Sequence, residues 1–153
     1  NRIAVSTLVG AAVFVFWFLL IPNDSEATAE FRPILFSAPA AFVYVWITLR
    51  VLGSSIVVPV LEELAFRKGI PMVLACLLAP TLGAKPAAIA AFLASSVGFG
   101  LLHSNILAGA LAGACYGLLT LRTGKVGDAI IAHAVTNFLI AMTAIFTGSW
   151  YLW

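Results

Sequence analysis

The sequence contains few charged residues and almost no extended polar segment. Of its 153 residues only 9% are charged, whereas 63% are apolar. Soluble globular domains carry roughly 25% charged residues, so this composition excludes an ordinary water-soluble domain. Because a helix needs about 20 apolar residues to cross a bilayer, the chain provides roughly five to seven crossings with little left for loops. The sequence therefore predicts one membrane-embedded domain over residues 1–153.

Cysteines and basic clusters are also scarce. Cys76 and Cys115 each lie alone in an apolar stretch, without the paired spacing of a metal knuckle or a redox motif. Eight basic and six acidic residues give a net charge of +2 without any basic run, so no nucleic-acid partner is expected. No internal repeat is evident, which argues against a transporter built from inverted repeats.

The start of the chain is unusual. The sequence begins at Asn1 rather than Met and enters an apolar run at once, which suggests an excised domain or a trimmed amino terminus. The run from residue 3 to residue 21 is too long for the core of a signal peptide. It also lacks a small-residue cleavage site followed by soluble sequence. We therefore interpret it as a retained membrane span.

Hydrophobic runs separated by proline, glycine or charge predict six helices. The runs are solidly apolar and do not alternate as the strands of a membrane barrel would. This pattern indicates an all-α, polytopic transmembrane bundle of about six helices. Gly53 and Pro59 interrupt one long stretch and predict a break or kink there, and the acidic segment 23–32 is interpreted as a solvated loop. The predicted runs are 3–21, 38–57, 59–80, 86–103, 105–121 and 126–147.

Glycine and aromatic residues form two local patterns. Gly109, Gly113 and Gly117 recur every four residues on one side of the fifth helix, and the missing side chains predict a close contact with another helix. Aromatic residues cluster at positions 150–153 after the last span. This position suits an aromatic belt at the membrane surface better than a binding site.

The basic residues in the connections give a first indication of membrane orientation. If all six runs cross the bilayer, four of these residues fall on one side and Arg2 falls on the other. The positive-inside rule then places the side with four basic residues in the cytoplasm. These four are Arg32, Lys85, Arg122 and Lys125.

Ionisable residues inside the apolar runs are the most informative feature of the sequence. Near the centre of a bilayer such a group costs about 3 kcal/mol on insertion scales, so it usually faces a protein interior or a wet cavity. The third run carries Glu62, Glu63 and Arg67. Because residues four apart share a helix face, Glu63 and Arg67 are expected to form an internal salt bridge. Glu62 then points elsewhere, where a neighbouring helix or a reaction could use its carboxylate.

Two histidines accompany these charges. Phe99 lies one turn before His103, so its ring can pack beside the imidazole. His133 and Asn137 share one face of the sixth run, and both can donate hydrogen bonds towards a single point. A lone histidine in such a helix is more often a satisfied core residue than a base or a ligand. The coincidence of three such pairs in one small hydrophobic chain is hard to explain by packing alone.

The order and spacing of these residues resemble the three motifs of the CPBP family. That family comprises type II CAAX prenyl endopeptidases and bacteriocin-processing proteins, also described as Abi membrane proteases. The resemblance covers roughly residues 38–147, and Lys68-Gly69 departs from members that place glycine directly after the arginine. Val57-Val58-Pro59 and the segment 148–153 are similar to a bacterial subset associated with exosortase protein-sorting systems. The motifs are Glu62-Glu63-x3-Arg67, Phe99-x3-His103 and His133-x3-Asn137.

The resemblance implies an intramembrane endopeptidase that works without a covalent acyl intermediate. Glu62 with His103 would hold and deprotonate the attacking water. His133 with Asn137 would donate to the oxyanion, a contact worth about 3 to 4 kcal/mol per donor. Glu63, Arg67 and Phe99 would support this site, and no cofactor or metal is implied. The expected partner is a membrane-anchored peptide or protein in the bacterial inner membrane, with a link to a protein-sorting system.

Three other hypotheses follow from the same residues. Glu62, His103 and His133 could supply three ligands to a catalytic zinc, although the sequence lacks His-Glu-x2-His. A non-catalytic binding or immunity protein could retain polar residues to hold a partner helix, and a transporter could use them along its path. The peptidase hypothesis adds a geometric condition, because His103 ends one run and His133 lies about two turns inside another. We therefore expect the turn near residues 104 and 105 to dip into the bundle.

Overall fold

The structure is a computed structural model that describes residues 1–21 and 25–153. Within these residues it contains six α-helices, a short 3-10 turn and no β-strand, which confirms the predicted all-α fold. The helices are numbered here in chain order. They are α1 (Arg2–Leu20), α2 (Ser25–Ser37), α3 (Ala40–Leu82), α4 (Ala84–Leu101), α5 (Ile106–Thr123) and α6 (Val126–Thr147), and the 3-10 turn is Trp150–Leu152.

Five of the described helices are long and apolar enough to cross a membrane. These are α1, α3, α4, α5 and α6, whose most apolar windows have a mean hydropathy between 1.4 and 2.4. Large apolar side chains cover the outer surface of the bundle, with Leu8 and Leu77 each 69% exposed and Phe146 83% exposed. Such a surface is stable only in lipid. These features confirm an integral membrane bundle, although α2, with 13 residues, is too short to be one of its spans.

Residues 40–82 form one continuous helix, so the predicted division into the runs 38–57 and 59–80 is wrong. Two π-turns, Gly53–Val57 and Ala65–Gly69, interrupt its α-helical hydrogen bonding. In the first of them the Val58 N–H donates to the carbonyl of Gly53, five residues earlier. This wider turn makes room for the ring of Pro59, which in a regular helix would clash with the carbonyl four residues earlier. The helix is therefore irregular where expected, but it does not end.

The segment 23–32, predicted to be a solvated loop, is helical from residue 25 onwards. Residues 23 and 24 lie outside the described part of the chain. The prediction failed because polarity was interpreted as a loop, although alanine and glutamate favour helix and Glu26 in the first turn complements the helix dipole. α2 packs its Leu35 against Val43 of α3 and against Trp150 of the 3-10 turn.

Helix α1 is fixed against α6 by a close approach and a hydrogen-bond chain. A side chain at Gly10 would collide with the carbonyl oxygen of Ala132, so only glycine permits this approach. The hydroxyl of Thr136 on α6 lies 2.8 Å from the Gly10 carbonyl and 3.1 Å from that of Ala132, and it donates to these acceptors. Tyr116 of α5 in turn donates to Thr136 Oγ1 at 2.8 Å. Three helices therefore meet at one buried hydroxyl.

The glycine stripe of α5 makes the predicted close contact with another helix, and that helix is α4. A Cβ at Gly109 would lie 2.9 Å from the Cα of Gly100, closer than real Cβ contacts come. A Cβ added at Gly113 would lie 3.2 Å from the Cβ of Phe99. A Cβ added at Gly117 would lie 2.7 Å from a ring carbon of Phe92. The stripe thus lets α4 and α5 approach with their backbones almost in contact.

The helices alternate between two ends of the bundle. The Asn105 side chain donates to the carbonyl of Leu20 at 3.1 Å, so the α4–α5 turn lies with the end of α1. We call this the upper end, and it also holds α2 and the 3-10 turn. The turns at Gly83 and Gly124, together with Arg2, lie at the lower end.

This arrangement changes the predicted distribution of basic residues. Because residues 40–82 cross once rather than twice, Arg2 joins the lower end and Arg32 moves to the upper end. The earlier grouping of Arg32 with the other three basic residues is therefore wrong. The lower end carries Arg2, Lys85, Arg122 and Lys125, whereas Arg32 at the upper end lies in α2 with Glu26 and Glu30.

The Gly109 contact can be tested by adding one methyl group. We expect Gly109→Ala to destabilise the fold by about 1 to 3 kcal/mol, because the backbones of α4 and α5 must separate. Gly127→Ala is the matched control, since a Cβ there meets nothing within 4 Å. Apparent melting temperatures in detergent, at one scan rate, measure both changes. Equal melting temperatures for the two variants would contradict the packing role.

The distribution of basic residues predicts that the lower end faces the cytoplasm. Single cysteines at Thr123 and Ser37, placed in a Cys76→Ala/Cys115→Ala background, report the two ends. In spheroplasts we expect a membrane-impermeant maleimide to label the cysteine at position 37 at once and the one at position 123 only after permeabilisation. Reversed labelling would show the opposite orientation.

Candidate active site

Helix α3 presents two adjacent carboxylates between its π-turns. Glu62 and Glu63 lie in the α-helical segment Val58–Leu64, where neighbouring side chains point about 100° apart. Glu63 points into the bundle and its side chain is fully buried, whereas the side chain of Glu62 is 23% exposed. One helical segment therefore offers one enclosed carboxylate and one accessible carboxylate.

Glu63 is the centre of a buried ion pair and hydrogen bond. Its Oε2 lies 2.8 Å from Nε of Arg67, which confirms the predicted pairing within one helix. Its Oε1 lies 3.0 Å from Nδ1 of His133 on α6. The spacing of the sequence did not predict this second contact, because it depends on how α3 and α6 cross. Glu63 thus joins α3 to α6 at the site.

The hydrogen bonds of Asn137 determine which nitrogen of His133 carries the proton. Asn137 Nδ2 lies 2.8 Å from the carbonyl oxygen of Ser54, which can only accept, and this orients the amide. The same nitrogen lies 3.2 Å from Nε2 of His133. That ring nitrogen must accept, so the proton is on Nδ1 and is donated to Glu63. Nε2 of His133 therefore faces the site as a basic nitrogen.

His103 is held at the end of α4 by aromatic rings and by the backbone. Its Nδ1 lies 2.8 Å from the Phe99 carbonyl, so Nδ1–H donates there and Nε2 is left as the acceptor. The Phe99 ring packs beside the imidazole at a centroid distance of 4.8 Å, as predicted, and Trp17 of α1 contacts it edge-on at 5.4 Å. Phe99 also contacts His133 at 5.6 Å. One buried ring thus separates the two imidazoles.

An open cavity of about 430 Å³ connects these groups at the upper end. His103, His133 and Asn137 all line it, and so do Leu102 and Ser104 of the α4–α5 turn. Leu102 is 61% exposed and Ser104 is exposed as well, so this turn lies at the end of the bundle and does not dip into it as expected. Glu62 does not line the cavity; its Oε2 lies 3.9 Å from Nε2 of His133. The structure therefore brings His103, His133 and Asn137 to one cavity, and Glu62 adjoins this group through His133.

Several residues of the site were not predicted. The Tyr116 ring stacks on His133 at 5.0 Å and 16°, and it holds the imidazole from the side of α5. Its position directly before Gly117 of the glycine stripe was the available signal. Ser54, the carbonyl partner of Asn137, was interpreted only as part of a helix break. Its role depends on a contact between helices that no spacing reveals.

The aromatic residues after α6 do more than mark the membrane surface. Trp150 is buried against α2 and α3, and its ring centroid lies 5.8 Å from that of Phe31. Tyr151 and Trp153 line the cavity, and Trp153 Nε1 donates to the hydroxyl of Ser54 at 3.3 Å. The aromatic belt at the membrane surface stays a prediction, and the contacts show in addition that the chain folds back over the end of the bundle.

The geometry of the histidines and acids also bears on metal binding. Among residues 1–21 and 25–153, no three or more His, Cys, Asp or Glu side chains form a group that could hold a metal ion. Glu63 already uses one carboxylate oxygen for Arg67 and the other for His133.

Comparison with known proteins identifies the family. No curated protein and no solved structure shows significant similarity to the sequence. Residues 44–139 match the family described as type II CAAX prenyl endopeptidase Rce1-like, and this range contains every residue of the three motifs. The match covers more than half of the chain and confirms the resemblance to the CPBP family. The chain therefore belongs to the Rce1-like type II CAAX prenyl endopeptidases, a family of membrane proteases.

Proposed function

We propose that the chain hydrolyses a peptide bond of a membrane-associated peptide or protein by means of a water activated by Glu62 and His103. His133 and Asn137 stabilise the oxyanion in this proposal. The cavity carries it, because His103, His133 and Asn137 border a single volume of about 430 Å³ that is open at the upper end. A cavity of that size can admit part of a peptide chain.

An unpartnered carboxylate oxygen supports a water site. Glu62 Oε2 is buried without a hydrogen-bond partner among the described residues and lies 3.9 Å from His133 Nε2, whose single lone pair accepts from Asn137. A water that donates one hydrogen to Oε2 keeps a lone pair for attack on a carbonyl carbon. As the new C–O bond forms, Glu62 takes that proton. In this proposal the second hydrogen of the water is donated to His103 Nε2, on the other side of Phe99.

The oxyanion site needs a proton on Nε2 of His133. In the resting arrangement this nitrogen accepts from Asn137, and the other hydrogen of the amide is donated to Ser54. Transfer of the proton from Glu62 to Nε2 would turn His133 into a cation paired with Glu63 and convert Nε2 into a donor. Asn137, released from His133, could then donate to the same oxygen. The proton later passes to the departing amine, which leaves the site in its starting state.

The setting of the site favours a substrate that is itself held at the membrane. The cavity opens at the upper end of a bundle whose outer surface is apolar, so an anchored peptide would approach along the bilayer. We further propose that the protein resides in the bacterial inner membrane and acts with a protein-sorting system. The latter proposal rests on the resemblance of segments 57–59 and 148–153 to the exosortase-associated subset.

Loss of the base or of its partner should abolish cleavage. We expect Glu62→Gln and His103→Ala to lower the turnover of lipid-anchored peptides by about 100-fold to 10,000-fold, the range for general acid–base groups. The assay uses purified protein in lipid nanodiscs with mass-spectrometric detection of products. Glu30→Gln, which neutralises an exposed carboxylate of α2, is the matched control and should keep full activity. Equal product from all the variants would refute the assignment.

Two further outcomes separate the alternative functions. Loss of activity on exhaustive chelation, with recovery on adding zinc, would support a zinc-dependent peptidase in place of direct activation by Glu62. Absence of cleavage by the parent, with peptide binding that Glu62→Gln leaves unchanged, would support a binding or immunity protein.

The ion pair of Glu63 with Arg67 predicts unequal effects on stability of removing the charge of Glu63 and that of Arg67. Glu63→Gln leaves the guanidinium of Arg67 buried without a counter-charge, which should cost about 3 kcal/mol or more. Arg67→Gln should cost less, because Nδ1 of His133 lies 3.0 Å from Glu63 and still donates a hydrogen bond to its carboxylate. The double variant Glu63→Gln/Arg67→Gln should recover part of the stability that Glu63→Gln loses. Thermal unfolding in detergent measures the three variants, and an order with Arg67→Gln as the worst would contradict this account.

A further inference from the structure

Arg50 of α3 lies at the mouth of the cavity, one helical turn before Ser54. It lines the cavity together with the four upper-end residues Tyr151, Leu152, Trp153 and Ile21. Ser54 marks the depth of the proposed oxyanion site, because its carbonyl accepts from Asn137 at 2.8 Å. Four residues of helix rise about 6 Å, so Arg50 stands about 6 Å above that level, towards the opening.

Two indole rings hold the guanidinium of Arg50 in place. Its central carbon lies 5.0 Å from the ring centroid of Trp153 and 5.5 Å from that of Trp46. The two rings contact each other edge-on at 6.2 Å, and Trp153 is in turn tied to Ser54 by its N–H. Stacking on the faces of aromatic rings leaves the edge of a guanidinium, with its N–H donors, available for an acceptor.

No anionic partner for this cation is present in the described part of the chain. Within residues 1–21 and 25–153, no acidic side chain forms a salt bridge with Arg50 and no acceptor takes a hydrogen bond from it. Arg50 is exposed at the rim of the cavity, so water weakens its attraction for an anion but leaves the guanidinium open to one. Its planar fork matches a carboxylate, which it can bind through two parallel hydrogen bonds.

We propose that Arg50 binds a carboxylate of the substrate chain and thereby selects where the chain is cut. This inference rests on the proposed peptidase function. An extended chain advances about 3.3 to 3.6 Å per residue, so the carboxylate lies about two residues from the scissile bond. The carboxylate is either the terminal carboxylate of the substrate or the side chain of an Asp or Glu.

Matched peptides distinguish these two sources. Palmitoylated peptides are prepared with a free or an amidated C terminus, and each form carries either Glu or Gln near the cleaved bond. The parent should prefer the peptide with the recognised carboxylate by about 10-fold or more in kcat/KM, as expected for a charged hydrogen-bonded pair. A preference for the free terminus indicates a terminal carboxylate, and a preference for Glu indicates a side chain.

Arg50→Gln should remove this preference mainly through KM, and it should lower kcat/KM less for the neutral peptide than for the carboxylate peptide. Arg50→Lys should keep part of the preference, because lysine retains the charge but not the fork. Arg32→Gln, a change at an exposed arginine of the same end, is the control and should leave the preference intact. An equal loss of kcat/KM with charged and neutral peptides would show that Arg50 has only a structural role and would overturn the proposal.

Binding to the Glu62→Gln protein separates this proposal from the peptidase function. The affinity of the same peptides for that protein, read by fluorescence anisotropy, needs no turnover. If the carboxylate peptide binds more tightly than the neutral peptide, and Arg50→Gln abolishes this difference, the carboxylate site is supported even if the parent cleaves nothing. If the effect of Arg50→Gln appears only with anionic lipid and is the same for all the peptides, Arg50 binds a lipid phosphate and the proposal is wrong.

Discussion

The carboxylate of Glu63 is the constraint on which the rest of the site depends. A charge with no exposed surface inside a membrane bundle is tolerated only when other groups balance it. Arg67 does so from the same helix and His133 does so from α6. Because the two carboxylate oxygens are shared between these partners, the crossing of α3 and α6 and the orientation of one imidazole are determined together. The accessible neighbour, Glu62, is thereby directed towards the basic nitrogen of that imidazole.

Much of the site could be predicted because its residues are costly in lipid and occur at helical spacing. The pairs Glu63 with Arg67 and Phe99 with His103 are contacts within one helix, so the number of intervening residues was sufficient. The contacts of Glu63 with His133 and of Asn137 with Ser54 join residues 70 and 83 positions apart. Contacts of that kind depend on crossing angles and helix rotation, which no local pattern encodes.

The helical fold was predictable from apolar runs, but the number of crossings was not. Gly53 and Pro59 are strong local signals for a break, yet the π-turn between them lets the helix continue. Because residues 40–82 cross once rather than twice, everything before α3 lies on the side opposite to the predicted one. Arg2 and Arg32 therefore exchanged ends. The acidic segment before α3 shows the converse error, since its polarity concealed good helix-forming residues. Side-chain polarity and backbone conformation are separate properties, and the error in the acidic segment came from inferring the second from the first.

The two π-turns of α3 mean that this helix has no single polar face. Each wide turn shifts the angular register of everything beyond it, so the residues before Gly53, those from Val58 to Leu64 and those after Gly69 look outward in unrelated directions. A helical wheel drawn over all 43 residues mixes three orientations. One helix can therefore meet three different surroundings in succession: the aromatic residues that follow α6, helix α6 itself beside Glu62 and Glu63, and helix α4 beside residues 70–82. Removing a single residue from either wide turn would rotate the glutamates relative to one of these neighbours while leaving the helix itself intact.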